Sequence, residues 1–168
     1  MDTSARSDPA AGYDPDGDRP LAPYTALTAT FGIGFVASLW LVFRRRGELP
    51  EGYGLLDVLM LGIATHKLSR LVTKDKVTAF ARAPFTRLQE PAGHGELDEA
   101  PRGDGIRYAI GELLVCPYCV AQWVAAGFAV GTVGAPRLTR LLALLFTVHA
   151  ISDFLQIAYR AAEEAGPG

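Results

Sequence analysis

The sequence predicts an all-α fold, a small multi-pass transmembrane helical bundle of three to four membrane helices carrying a polar cytoplasmic loop. Two long apolar runs and the polar stretch between them predict it. Charged residues are absent from Leu21 to Phe43 and from Leu113 to Pro136, runs of 23 and 24 positions. A helix needs roughly 20 apolar residues to cross about 30 Å of hydrocarbon. Both runs are long enough, and neither shows the polar face that a soluble helix presents every turn. The stretch from Lys74 to Arg107 is polar and contains Pro84, Pro91 and Pro101, as an extramembrane loop does.

Residues 1–22, rich in Asp, Pro and Gly, read as a disordered acidic tail. A first helix follows from about Tyr24 to Phe43, an N-terminal segment over residues 24–46 that ends in Arg44, Arg45 and Arg46. An apolar block that follows an acidic tail and ends in arginines is a retained anchor, since a cleaved leader begins with basic residues. Gly47 to Gly54, with Pro50, is a turn.

A helical membrane domain is expected over residues 55–162. Its second helix, about Leu55 to Thr73, is free of charge only from Val58 to Thr65. It either lies in the interface or crosses with Lys67 and Arg70 reaching back to the headgroups, and crossing is the preferred reading. Within the large loop over residues 74–107, Val77 to Phe85 reads as a short surface helix. A third helix is expected from about Tyr108 to Val133. After the Gly134-Ala135-Pro136 turn a fourth, antiparallel helix runs from about Leu138 to Ala162, and residues 163–168 form a tail.

Basic residues concentrate on the cytoplasmic face of a membrane protein. With four crossings and the large loop inside, that side holds 11 Lys and Arg against 5, and with an interfacial second helix the split is 12 to 4. Both arrangements put the large loop in the cytoplasm and differ over the N-terminus. The expected location is the bacterial plasma membrane. The expected partners are the lipid bilayer and any proteins that dock on the loop. A net charge of −2 weighs against nucleic acid.

The polar residues inside these segments fall at helical spacing. Glu112, Cys116, Cys119 and Trp123 share one face of the third helix, His149, Asp153, Gln156 and Arg160 one face of the fourth, and His66, Arg70 and Thr73 one face of the second. Ionisable groups in lipid require partners, so the three faces are expected to meet. Counting back from the turn near residue 135, Asp153 falls level with about Pro117 and His149 with about Ala121. Cys116, Cys119, His149 and Asp153 are then donors of the types that hold zinc or a similar ion.

Blander readings stand beside this one. The two cysteines, too few for a disulfide framework, suit small, soft core positions. His149 with Asp153 suits a hydrogen-bonded pair locking two helices, His66 and His94 suit solvated positions, and Pro117 suits a kink. The C-P-Y-C tetrapeptide itself resembles the active site of glutaredoxins, although no βαβ pattern surrounds it.

The segments Ala64-Thr-His-Lys-Leu-Ser-Arg-Leu-Val-Thr-Lys-Asp-Lys-Val77, Arg82-Ala-Pro-Phe85 and Gly111-Glu-Leu-Leu-Val-Cys-Pro-Tyr-Cys-Val-Ala-Gln-Trp123 together resemble the bacterial family called domain of unknown function 1360. The likeness spans about Leu55 to Tyr159. It implies a small multi-pass membrane protein without an assigned activity, some of whose relatives are connected with sporulation. The matching positions Arg70, Asp75, Glu112, Cys116, Cys119 and Trp123 coincide with the polar positions found above, while His66 falls at a position of weaker match.

The leading expectation is therefore a non-enzymatic membrane protein whose Cys116/Cys119 site is structural or metal-binding. The alternatives are a membrane thiol-disulfide oxidoreductase using those cysteines, and an assembly scaffold acting through residues 74–107.

Overall fold

The computed structural model describes Tyr13 and residues 20–46 and 52–166. The expected acidic tail lies outside the described residues except for Tyr13 and residues 20–22, and much of the Gly47 to Gly54 turn lies outside them too. Helices dominate: α1 Leu21–Arg46, α2 Leu55–Thr73, the short α3 Ala79–Arg82 after a 3-10 turn at Lys76–Thr78, α4 Gly105–Val115, α5 Pro117–Gly134 and α6 Pro136–Ala165. The residues expected to form a C-terminal tail continue α6 as far as Ala165.

Two expectations are corrected. The fold is not all-α: within the supposed loop, β1 Thr86–Gly93 and β2 Glu96–Pro101 pair as an antiparallel hairpin. His94 and Gly95 join the strands with φ of 50° and 81°, the left-handed pair that matches the twist of a two-residue hairpin. Nor is the third helix continuous. It breaks at Cys116 into α4 and α5, which meet at 83°.

Contacts along their lengths set the directions of the long helices. Tyr24 lies by Glu112, Phe31 by Trp123 and Val42 by Gly134, so α1 and α5 run the same way. Tyr53 meets Thr132 at 2.7 Å. Arg140 pairs with Asp57 at 2.8 Å, the Thr147 hydroxyl donates to the Met60 carbonyl at 2.8 Å, and Lys67 reaches Asp153 at 2.5 Å. Helix α2 thus runs beside α6 in the same direction and opposite to α5.

The small side chains of Ala64 and Ala143, both wholly buried, let α2 and α6 approach closely around Phe128. Few other apolar residues are buried. Ile33, Val36, Leu141, Phe154 and Leu155 are all more than 60% exposed, an outward greasy surface far beyond what a water-facing helix carries. Helices α1 and α6 are each long and apolar enough to cross a membrane, and the bent α4–α5 pair passes the same test taken together.

At the end of the bundle where α2 finishes, the hairpin is held by its own acidic strand. Arg70 forks onto the Glu96 carboxylate, Lys74 bonds Asp98 at 2.8 Å and Arg82 bonds Glu99. Arg82 also donates to the Val72 carbonyl at 2.9 Å, to the Thr78 hydroxyl at 2.7 Å and to the Asp75 carbonyl at 3.0 Å. Its side chain is 1% exposed and that of Glu99 5%, so the pair is a buried, fully bonded latch. Gly111 of α4 takes the hairpin base, where a Cβ would come within 2.5 Å of the Phe85 carbonyl oxygen.

Candidate functional site

The Cys116–Cys119 pair is built by local sequence. Cys116 has φ −103° and ψ 104°, outside the helical region, and caps α5 by accepting the Cys119 backbone N–H on its sulfur at 3.2 Å. Pro117 occupies the first turn of α5, where its missing N–H has no helical acceptor to lose and its fixed φ suits the start of a helix. The proline expected to kink a continuous helix instead starts a new one. That start brings the two sulfurs together as a disulfide, with the Cα atoms 5.3 Å apart. Cys116 is half-buried and Cys119 exposed.

Both cysteines line a cleft of about 1020 Å³ between α1, α4 and α5. Glu112, in the last turn of α4, accepts a hydrogen bond from the Tyr24 hydroxyl. Trp123 lies edge-on to Phe31 with ring centroids 5.0 Å apart. Tyr13, Thr28, Tyr108 and Gln122 add to the polar part of the lining. Glu112, Cys116, Cys119 and Trp123, expected on one face of one helix, therefore do share a site. They reach it from two helices at a corner.

The other expected members go elsewhere. Asp153 accepts from Lys67, and His149 Nε2 stands 3.8 Å from Asp153 on the same helix. Neither His149 nor Asp153 lines the cleft. Among the described residues no group of three or more His, Cys, Asp or Glu side chains could hold a metal ion, so the donor set Cys116, Cys119, His149 and Asp153 is not assembled. The physical reason is Lys67, which reaches Asp153 and makes it half of an ion pair between helices. His66 is exposed. Arg70 serves the hairpin, and Asp75 caps the 3-10 turn by accepting the Val77 N–H at 2.9 Å. The three polar faces do not converge.

Sequence reasoning missed Tyr24, because a tyrosine at the mouth of an apolar run has no periodic signal. It also missed Glu96, Asp98 and Glu99. Their near-alternation with Leu97, just after Gly93-His94-Gly95, was the available sign of a hairpin strand.

A family model described as "Protein of unknown function (DUF1360)" matches residues 60–159. This span starts within α2, ends within α6 and leaves out α1. The UPF0713 protein YngL of Bacillus subtilis is 27% identical over 106 residues, covering 61% of this chain and 78% of the relative. The sporulation protein YjcA of the same organism is 28% identical over 104 residues, covering 60% and 88%. No solved structure matches.

Proposed function

Since this chain belongs to the DUF1360 family, whose shared description names no activity, we propose from its own geometry that it is a membrane-embedded thiol-disulfide oxidoreductase working through Cys116 and Cys119. The observation that carries this reading is the placement of a C-x-x-C pair at the start of an 18-residue helix and in the lining of a cleft.

Three physical points support it. A disulfide spanning so few residues constrains little of the unfolded chain, contributing about 2 kcal/mol on the loop-entropy scale, and it ties together no distant elements. If α2 crosses beside α1, α5 and α6, the hairpin end carries the larger share of the 11-to-5 distribution of basic residues and faces the cytoplasm. In that compartment a disulfide is transient and reactive, not a structural staple. Finally, the Cys119 N–H and the helix start favour negative charge on the Cys116 sulfur.

The step follows from the exposures. A thiolate of a partner dithiol attacks the exposed Cys119 sulfur, the S–S bond breaks, and Cys116 leaves as the stabilised thiolate. The partner's second thiolate then attacks its own sulfur in the mixed disulfide and expels Cys119. The partner is oxidised to a disulfide by two electrons, and its two protons end on Cys116 and Cys119.

Detergent-purified full-length protein, equilibrated against graded ratios of reduced to oxidised dithiothreitol and trapped with an alkylating mass tag, tests this. A reversible two-electron transition confined to Cys116 and Cys119 is expected. A single redox state across the whole series overturns the reading.

A further inference from the structure

A C-x-x-C pair that accepts electrons from dithiols must pass them on, and the cleft beside it has the size and lining for the acceptor. We infer that this cleft binds a lipid-soluble benzoquinone or naphthoquinone, which reoxidises Cys116 and Cys119; the inference rests on the thiol-disulfide reading above and adds its second substrate.

The volume of about 1020 Å³ is at the upper end of the range for small-ligand sites. Phe31, Trp123 and Tyr108 supply aromatic walls for a flat ring. Gln122, Tyr24 and Glu112 supply hydrogen-bonding groups in the cleft that the sulfurs line. The remaining lining includes Leu21, Leu27 and Leu113, which suits an apolar tail, and α1 forms one whole wall while exposing its apolar side chains outward. A ligand that arrives through lipid and carries a polar redox head matches this mixed lining. The wall carrying Tyr24 and Phe31 lies outside the span matched by the family model.

The chemistry balances. The Cys116 thiolate adds to a ring carbon of the quinone, forming a C–S bond. Cys119 then attacks the Cys116 sulfur, the S–S bond forms, and the C–S bond breaks with its electron pair passing to the ring. The dithiol is oxidised by two electrons and the quinone reduced to the quinol, whose two oxygens receive the two thiol protons. Glu112, held by Tyr24 in the turn before Cys116, is placed to carry one of them.

The probe is decylubiquinone, whose fully substituted ring has no hydrogen to lose, so an added thiolate either leaves again or is displaced by Cys119 and no stable thioether accumulates. In a Trp40→Phe background Trp123 is the remaining tryptophan, since the chain has two. Saturable quenching of its fluorescence is expected. Oxidation of the pre-reduced pair, followed anaerobically by mass tagging, is expected to run at least about tenfold faster with the quinone. Trp123→Leu and Glu112→Gln are each expected to slow it by about tenfold, the effect of losing one well-placed contact worth about 1.4 kcal/mol, while equilibrium titration with dithiothreitol stays reversible. Equal quenching by a redox-inert alkyl alcohol of matching length marks the cleft as an acyl-chain groove and overturns the inference. So does a pair that cycles with dithiothreitol but ignores the quinone, and that outcome leaves the thiol-disulfide reading standing. A pair that never cycles removes the reading itself, and quenching in a Cys116→Ser, Cys119→Ser variant then reports binding alone.

Discussion

Arg82 illustrates how much one side chain decides in this molecule. Its guanidinium is buried against Glu99, one hydroxyl and two carbonyls, so deleting it strands a carboxylate without its counter-charge. Arg82→Met is expected to cost about 3–5 kcal/mol, the usual effect of breaking a buried pair. Arg82→Met with Glu99→Gln is expected to cost less than Arg82→Met alone, because the second change removes the stranded charge. Urea unfolding in detergent, read by circular dichroism, measures both, and a double variant no more stable than the single one would contradict the latch. Gly111 is the companion case. A methyl group there meets backbone, which cannot rotate away, and Gly111→Ala is expected to cost about 1–3 kcal/mol in the same assay, as overpacking does. In the sequence, Arg82 was legible only as part of a matching segment. Nothing local revealed that its partner lay 17 positions on in a strand.

At the scale of elements, the corner between α4 and α5 and the hairpin are the two features that shape the site. Cys116 caps α5 through its sulfur, a role that a serine hydroxyl performs equally well. Cys116→Ser is therefore expected to match the helix content and unfolding midpoint of the reduced parent while abolishing the redox transition. A large loss of helix in circular dichroism would mean that the disulfide, and not the cap, holds the corner. The hairpin turn gives a second test. His94 occupies the left-handed region at φ 50°, where a β-branched side chain is strained and glycine is not. His94→Val is expected to destabilise by about 1–2 kcal/mol and His94→Gly to be neutral or stabilising, measured by urea unfolding. Helices α2 and α6 were legible to within a few residues from periodicity and turn residues. The hairpin was not, because its strands are short and polar and gain their stability from Arg70, Lys74 and Arg82 outside them.

For the whole molecule, the greasy outer surface and the basic residues make joint demands. The membrane reading expects extraction by detergent and aggregation when the amphiphile is withdrawn, and a monodisperse species in plain buffer, seen by size-exclusion chromatography with light scattering, would sink it. The orientation reading is separable. On a Cys116→Ser, Cys119→Ser background, Gln89→Cys in the hairpin is expected to escape a membrane-impermeant maleimide in intact cells, while Gly52→Cys at the opposite end is labelled. The reverse pattern would place the hairpin and the thiol pair outside the cytoplasm and remove the argument that their disulfide is transient.

By itself the sequence determined where the chain is helical and apolar, where it turns, and that two cysteines stand one helical turn apart, because these depend on side-chain solvation and on backbone preferences acting over a few residues. Which ionisable groups meet was decided only in three dimensions. Asp153 lies within reach of cysteine, histidine and lysine when depth alone is counted, yet Lys67 of α2 is the partner that takes it, while an 83° turn at Cys116 carries the thiols away toward α1. Pairing across a bundle depends on helix direction and rotation, and a single local break such as Cys116-Pro117 resets both for everything that follows.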